Sequence, residues 1–163
     1  MNKVLSALLV VALMFASVSV AKASNDTVVG ITYYDDDSYV ITTINYAVTK
    51  SSSTVSGSKT STYYRSDGIK AFSLTVYGTF SYDGKEAKIL KAGTDSNISK
   101  ISTNASYSHY IYQNDWSLKS ASATKSGNTA TATGTFIRKE LGITVDTKTR
   151  TVNLSCDRNG NLS

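Results

Sequence analysis

The chain of 163 residues contains no proline, one cysteine (Cys156), one histidine (His109) and one tryptophan (Trp116). Glutamate occurs only as Glu86 and Glu140, and charged residues make up 18% of the total. Each scarcity closes off a class of chemistry. One cysteine rules out an intramolecular disulfide framework, and a domain of about 140 residues buries roughly two-thirds of its unfolded surface without one. One histidine leaves a serine or cysteine nucleophile a single possible imidazole partner. Without cysteine neighbours, that histidine does not make a zinc site. Two carboxylates can run glycoside hydrolysis, but nothing in the spacing of Glu86 and Glu140 selects them as a pair. No catalytic residue, cofactor or metal is therefore expected.

The first segment is the one long apolar run. Met1-Asn2-Lys3 supplies a positive start, Val4 to Val20 is largely apolar, and Ala21-Lys22-Ala23 ends it with small residues. This is the pattern of a secretory signal cleaved at an A-x-A site. A membrane anchor is the competing reading, since the run approaches the length of a span, but Ser17 and Ser19 interrupt it. Residues 1–23 are thus expected to be a helical signal peptide and residues 24–163 a single secreted, extracellular domain. No cysteine follows the run to carry a lipid, and Asn159-Gly160-Asn161-Leu162-Ser163 offers no anchor. With Lys3 and Lys22 in the leader, the formal net charge falls from +5 to +3. That is too mild to imply nucleic acid.

Period-2 alternation dominates after Thr27 and predicts strands. Phe72, Leu74, Val76, Gly78 and Phe80 alternate with Ser73, Thr75, Tyr77, Thr79 and Ser81, which places one set inward. Val40, Thr42, Ile44, Tyr46 and Val48 form a second such face, and Ile101, Thr103, Ala105, Tyr107, His109 and Ile111 a third. Trp116 and Leu118 open a further strand, Lys125-Ser126-Gly127-Asn128 turns it, and Ala130, Ala132, Gly134 and Phe136 return; Phe72, Leu74, Val76, Phe80, Trp116 and Phe136 are expected to be mostly buried. Asp83-Gly84 predicts a type I′ turn and a hairpin over about residues 72–91. Ser51 to Ser61 reads as a loop or irregular edge. In the last strand Ile143 and Val145 are odd, whereas Val152, Leu154 and Cys156 are even. A bulge near Arg150-Thr151, or a strand passing between sheets, would reconcile them. With no helix of normal length, the fold class is all-β: an antiparallel β-sandwich, with a small β-barrel as the alternative.

The Tyr82-Asp83-Gly84-Lys85 turn, the Ser126-Gly127-Asn128 turn with its Ala130-to-Phe136 strand, and Leu141-Gly142-Ile143-Thr144-Val145 leading into Val152-Asn153-Leu154-Ser155-Cys156 occur in a distinctive order. With the terminal Asn159 to Ser163, this order resembles a group of small, uncharacterised secreted proteins of Gram-positive bacteria, many from gut communities. The resemblance covers Thr62 to Ser163 and implies no particular activity. Members of that group often carry a second cysteine soon after the Tyr-Asp-Gly turn, where this chain has Ile89 and Leu90. The resemblance then implies that Cys156 lacks a family partner.

Several residues are candidates for function, each with a plainer structural role. Cys156 shares parity with Val152 and Leu154, which suits a buried apolar group; pairing between chains is the alternative. His109 falls on the apolar parity with Tyr107 and Ile111, where a neutral, hydrogen-bonded imidazole is the plainer reading. Asp35-Asp36-Asp37, beside Tyr33, Tyr34 and Tyr39, is either a solvated turn or a weak calcium site, although the D-x-D-x-D-G order is missing. Lys148 and Arg150 read as a solvent face, with polyanion binding as the alternative. The outward Thr and Ser rows suit a soluble sandwich or a membrane-inserting hairpin. Tyr107, Tyr110, Tyr112 and Trp116, with Asn114 and Asp115, form the richest aromatic stretch. Tyr110 and Tyr112 oppose Tyr107 in parity, so they are either covered by a second layer or exposed as a rail beside Trp116. Tyr110, Tyr112 and Trp116 are therefore the candidate ligand-binding residues of a non-enzymatic domain. The expected partner is a cell-envelope polymer, a host glycan or a protein. A secreted effector or pore-forming toxin, and then a hydrolase, are the alternatives.

Overall fold

A computed structural model describes residues 26–46, 54–89 and 105–163. The segment 1–23, expected to be a signal peptide, and the readings at Val48, Leu90, Ile101 and Thr103 lie outside those residues. Among the described residues there is no helix and there are nine strands: β1 (Thr27–Tyr33), β2 (Tyr39–Tyr46), β3 (Thr54–Tyr64), β4 (Lys70–Tyr82), β5 (Ala87–Ile89), β6 (Ser106–Ile111), β7 (Trp116–Ser126), β8 (Thr129–Glu140) and β9 (Ile143–Ser155). They form two antiparallel sheets. The larger runs β1-β2-β3-β4-β5, with β6 also on β4, and the smaller runs β7-β8-β9. β5 pairs with the Phe80–Tyr82 end of β4 and β6 with the Phe72–Tyr77 portion, so the two share one lateral position. The chain is a β-sandwich.

The core follows the predicted parity of β4. Phe72, Leu74, Val76 and Phe80 are fully buried against Ala130, Ala132, Phe136, Val152 and Leu154 of the smaller sheet. The small residues of β8 serve the large ones of β4: a Cβ at Gly134 would stand 3.3 Å from both methyls of Leu74. Phe72 stacks on Phe136 with ring centroids 4.0 Å apart and planes 11° apart. Ser73 and Thr75 are also buried, on the opposite face. β4 has a neighbour on each side, and Thr60 and Ser108 flank Thr75 there.

Three local expectations change. Residues 54–61 are not a loop: they belong to β3, which is paired with β2 on one side and β4 on the other. Gly57 serves this strand because a Cβ there would lie 2.4 Å from Leu162 Cδ1. The terminal hook, bonded through Ser155 and Ser163, buries Leu162 at that point. The β4–β5 connection is a four-residue loop rather than a two-residue type I′ turn, since Tyr82 pairs with Ala87. Asp83 Oδ1 accepts the amides of Glu86 at 2.9 Å and Lys85 at 2.8 Å, and these bonds lower its pKa. Lastly, the irregularity of β9 lies at Val145, between the pairs Arg138–Asp146 and Lys139–Thr144, rather than near Arg150-Thr151.

That bulge has a large consequence. It restores the even residues to the inner face, so Lys148 lies opposite Phe136 and Arg150 opposite Gly134. They are half-buried and point between the sheets, which corrects the solvent-face reading. Long aliphatic stems make this tolerable. Their cationic heads rest on aromatic faces: Lys148 lies 5.8 Å from the Tyr63 centroid, and Arg150 lies 5.0 Å and 5.1 Å from those of Tyr34 and Tyr63. Lys148 also approaches Asp36 at 3.6 Å and Asp146 at 3.8 Å.

The β8–β9 hairpin turns through Leu141 (φ 49°) and Gly142 (φ 82°), both left-handed. Type I′ geometry favours Asn-Gly or Asp-Gly; a leucine there, fully exposed at 103%, sits in a conformation that costs an L-residue roughly 1–2 kcal/mol. Leu141→Asn is expected to stabilise the domain by about 0.5–1 kcal/mol. Chemical denaturation checks this, and a lowered midpoint would show that Leu141 makes a stabilising contact.

Candidate functional site

The outer face of the six-stranded sheet carries a row of tyrosines that crosses five strands. Register places them together: Tyr33 pairs with Tyr39, Tyr39 with Tyr64, Tyr64 with Lys70, and Tyr110 with Ser73. Tyr112, just past β6, is fixed by its amide, which donates to the carbonyl of Ala71 at 2.9 Å. The rings follow one another closely. Tyr33 and Tyr39 have centroids 5.7 Å apart, Tyr39 and Tyr64 stack at 4.8 Å with planes 4° apart, and Tyr110 stacks on Tyr112 at 6.3 Å. Lys70 bridges the two halves, with Nζ 6.0 Å from the Tyr64 centroid and 5.5 Å from that of Tyr112.

Lys70 reaches this face because of a second bulge. Tyr63 pairs with Phe72 but Tyr64 pairs with Lys70, so Ala71 is the extra residue. Without it, period-2 alternation would send Lys70 to the Phe72 side. At strand spacings of about 4.8 Å, a row over five strands extends about 19 Å. Tyr33, Tyr110 and Tyr112 are 71%, 65% and 47% exposed. Thr62 and Ser73 adjoin the row, and hydroxyl pairs continue away from it along the same face: Thr60–Thr75 (2.8 Å), Tyr77–Ser108 (3.1 Å) and, at the far end of β3, Ser56–Thr79 (2.9 Å). Such a surface can stack on the flat face of a ligand and hydrogen-bond to its rim.

The sequence candidates fall out differently. Tyr110 and Tyr112 form the exposed rail. Trp116 does not join it: it is 4% exposed and packs on Phe72 at 4.9 Å and Tyr63 at 5.9 Å, on the inner face. Its partner across the smaller sheet is Arg138, so it belongs to the other layer. Tyr33, Tyr39, Tyr64 and Lys70 are the members that linear reading missed. Their signal was present in outline, as tyrosines beside the 34–38 and 65–69 turns, where strand ends align.

The remaining candidates have structural roles. Cys156 is fully buried, and its thiol donates to the Asp157 carbonyl at 3.3 Å. His109 keeps the predicted parity but lies exposed on β6, with its ring 6.5 Å from Phe136. Asp36 is engaged by the Ser38 hydroxyl and, at 3.1 Å, by its amide; these bonds, with Lys148 nearby, lower its pKa. Asp37 takes the left-handed conformation of a turn (φ 59°). Among the described residues no group of three or more His, Cys, Asp or Glu side chains is placed to hold a metal. Glu86 pairs with Lys88 and Glu140 with Arg138. The amide of Ile89 bonds to Gly127 at one end of β8, and Glu140 closes the other end. A twelve-residue strand is about 36 Å long, far beyond the roughly 5–9.5 Å that a carboxylate pair requires.

Comparisons with family models, curated proteins and solved structures return no match. The functional reading rests on this geometry.

Proposed function

We propose that the chain is a secreted, non-enzymatic binding protein that lays a glycan of the cell envelope or of a host surface along the tyrosine row. The carrying observation is the alignment of Tyr33, Tyr39, Tyr64, Tyr112 and Tyr110 on one face, with Lys70 among them. A sugar ring presents an apolar C–H face and a rim of hydroxyls, which suits tyrosine faces flanked by Ser and Thr. Rings fixed by strand pairing lose little rotamer freedom on binding. The signal pattern of residues 1–23, and the resemblance to secreted Gram-positive proteins, supply the extracellular part of the proposal.

Stacking platforms also suit single-stranded nucleic acid. That ligand needs a cationic track along its backbone, whereas this row offers one lysine and ends beside Asp35, Asp36 and Asp37. A secreted effector or pore former draws on a different feature, the exposed Leu141, Ile143 and Val145 of the β8–β9 hairpin.

The test is a parallel pull-down of the mature protein with bacterial cell walls, mucin glycans and liposomes. Retention on walls or mucin is expected, with a loss of about tenfold or more for Tyr110→Ala and Tyr112→Ala, since one stacking contact is worth about 1–3 kcal/mol. Unchanged melting temperatures would accompany that loss. Retention by liposomes alone, abolished by Leu141→Asp, would replace this reading with the membrane one.

A further inference from the structure

Resting on the glycan-binding reading, we infer that the row is selective for a sparsely acidic glycan: neutral sugars stack on the tyrosines and one carboxylate-bearing sugar is held at Lys70. The ion pairs among the described residues engage Arg65, Lys88, Arg138 and Lys148, and none engages Lys70. Its ammonium is instead held between the rings of Tyr64 and Tyr112, at 6.0 Å and 5.5 Å. Lys70 itself is exposed, so the charge is available to an incoming group.

Position makes this charge selective. Outer-face neighbours of the row are uncharged: Ile41 and Thr62 lie one step along β2 and β3, and Ser73 lies beside Tyr110. Nearby Arg65 is occupied by Asp67 at 3.0 Å. At the Tyr33 end the chain continues into Tyr34, Asp35, Asp36 and Asp37. A ligand spanning the row therefore meets one cation, set between aromatic faces and bordered along the strands by uncharged side chains. A uniformly charged polymer would find one partner at Lys70 and desolvate its other charges against those uncharged side chains, whereas a chain with an isolated acidic sugar gains without that penalty. The Ala71 bulge is what brings Lys70 to this face.

Matched ligand pairs test the idea by affinity electrophoresis of the full mature protein. The probes are glucuronoxylan and its debranched form, sialylated mucin and its desialylated form, and pectate as a uniformly charged polymer. In at least one pair the acidic member should be retained about tenfold better, which corresponds to about 1.4 kcal/mol, through a charge-assisted hydrogen bond to Lys70. Lys70→Gln should erase that preference, bringing retention of the acidic member down to that of its neutral counterpart, and Lys70→Arg should keep it. The preference should also vanish in about 1 M salt, where screening acts within about 3 Å. Equal retention within both pairs, an unaffected Lys70→Gln variant, or strongest binding to pectate would overturn the inference. In those cases loss of neutral binding in Tyr110→Ala would still support the glycan reading. Retention of no polymer by the wild-type protein would remove both.

Discussion

Replacing Phe72 with alanine is expected to lower stability by about 3–5 kcal/mol. Phe72 joins the two sheets: it stacks on Phe136 from the smaller sheet, tilts against Trp116 at 4.9 Å and lies 5.0 Å from Tyr63. It is fully buried on the central strand β4, which is hydrogen-bonded on both flanks. Those flanks hold the backbone in place, so the space left by the ring cannot close, and the cavity adds to the lost transfer free energy. Domains of this kind have only about 5–15 kcal/mol in total, so the variant would stand near the limit of folding. Urea denaturation should show a lower midpoint at an unchanged slope. A shift within about 0.5 kcal/mol, as for surface substitutions, would mean that the two sheets do not meet at this ring. Ile143→Ala, on the exposed hairpin, provides the surface reference.

The second large effect concerns the row. Removing both Tyr39 and Tyr64, its most closely stacked pair, should reduce retention on whichever wall or mucin fraction binds the wild-type protein by at least about 30-fold, two stacking contacts being worth about 2 kcal/mol or more. Stability should fall as well, because both rings are half-buried and their stacking adds about 0.5–1.5 kcal/mol beyond that area, so retention is compared at a temperature where both proteins are folded. Retention and thermal melting measured on the same samples separate the two. Undiminished retention would remove the row as the binding surface. The single variants at Tyr110 and Tyr112 then serve to show whether either end acts alone.

Lys148 shows where linear reading stops, because alternation holds only between bulges; the expected burial of Trp116 is observed, and that burial removes it from the rail. Trp116 precedes the irregularity between Leu118 and Ser120 and faces inward opposite Arg138. Lys148 follows the bulge at Val145 and turns inward opposite Phe136. A bulge depends on where one residue of a partner strand is left unopposed, and that partner is distant in sequence. Residues 54–61 differ from expectation for a related reason: Ser, Thr and Gly resemble a loop until Leu162, over a hundred residues later, fills the space above Gly57.

The sequence alone determined the strand class, the buried parity of Phe72, Leu74, Val76 and Phe80 and the β7–β8 hairpin, because each is written in neighbouring residues by a period of two; for Cys156 it left burial and pairing between chains open, and the fold places the thiol in the core. The sequence also divided Tyr110 from Tyr107. Only the tertiary structure decided that Tyr33, Tyr39, Tyr64, Lys70, Tyr112 and Tyr110 stand in one line. That line runs across the strands, perpendicular to the direction in which sequence is read. Its members meet through inter-strand register, set by turns, bulges and hydrogen-bond pairing among residues as far apart as Tyr33 and Tyr112.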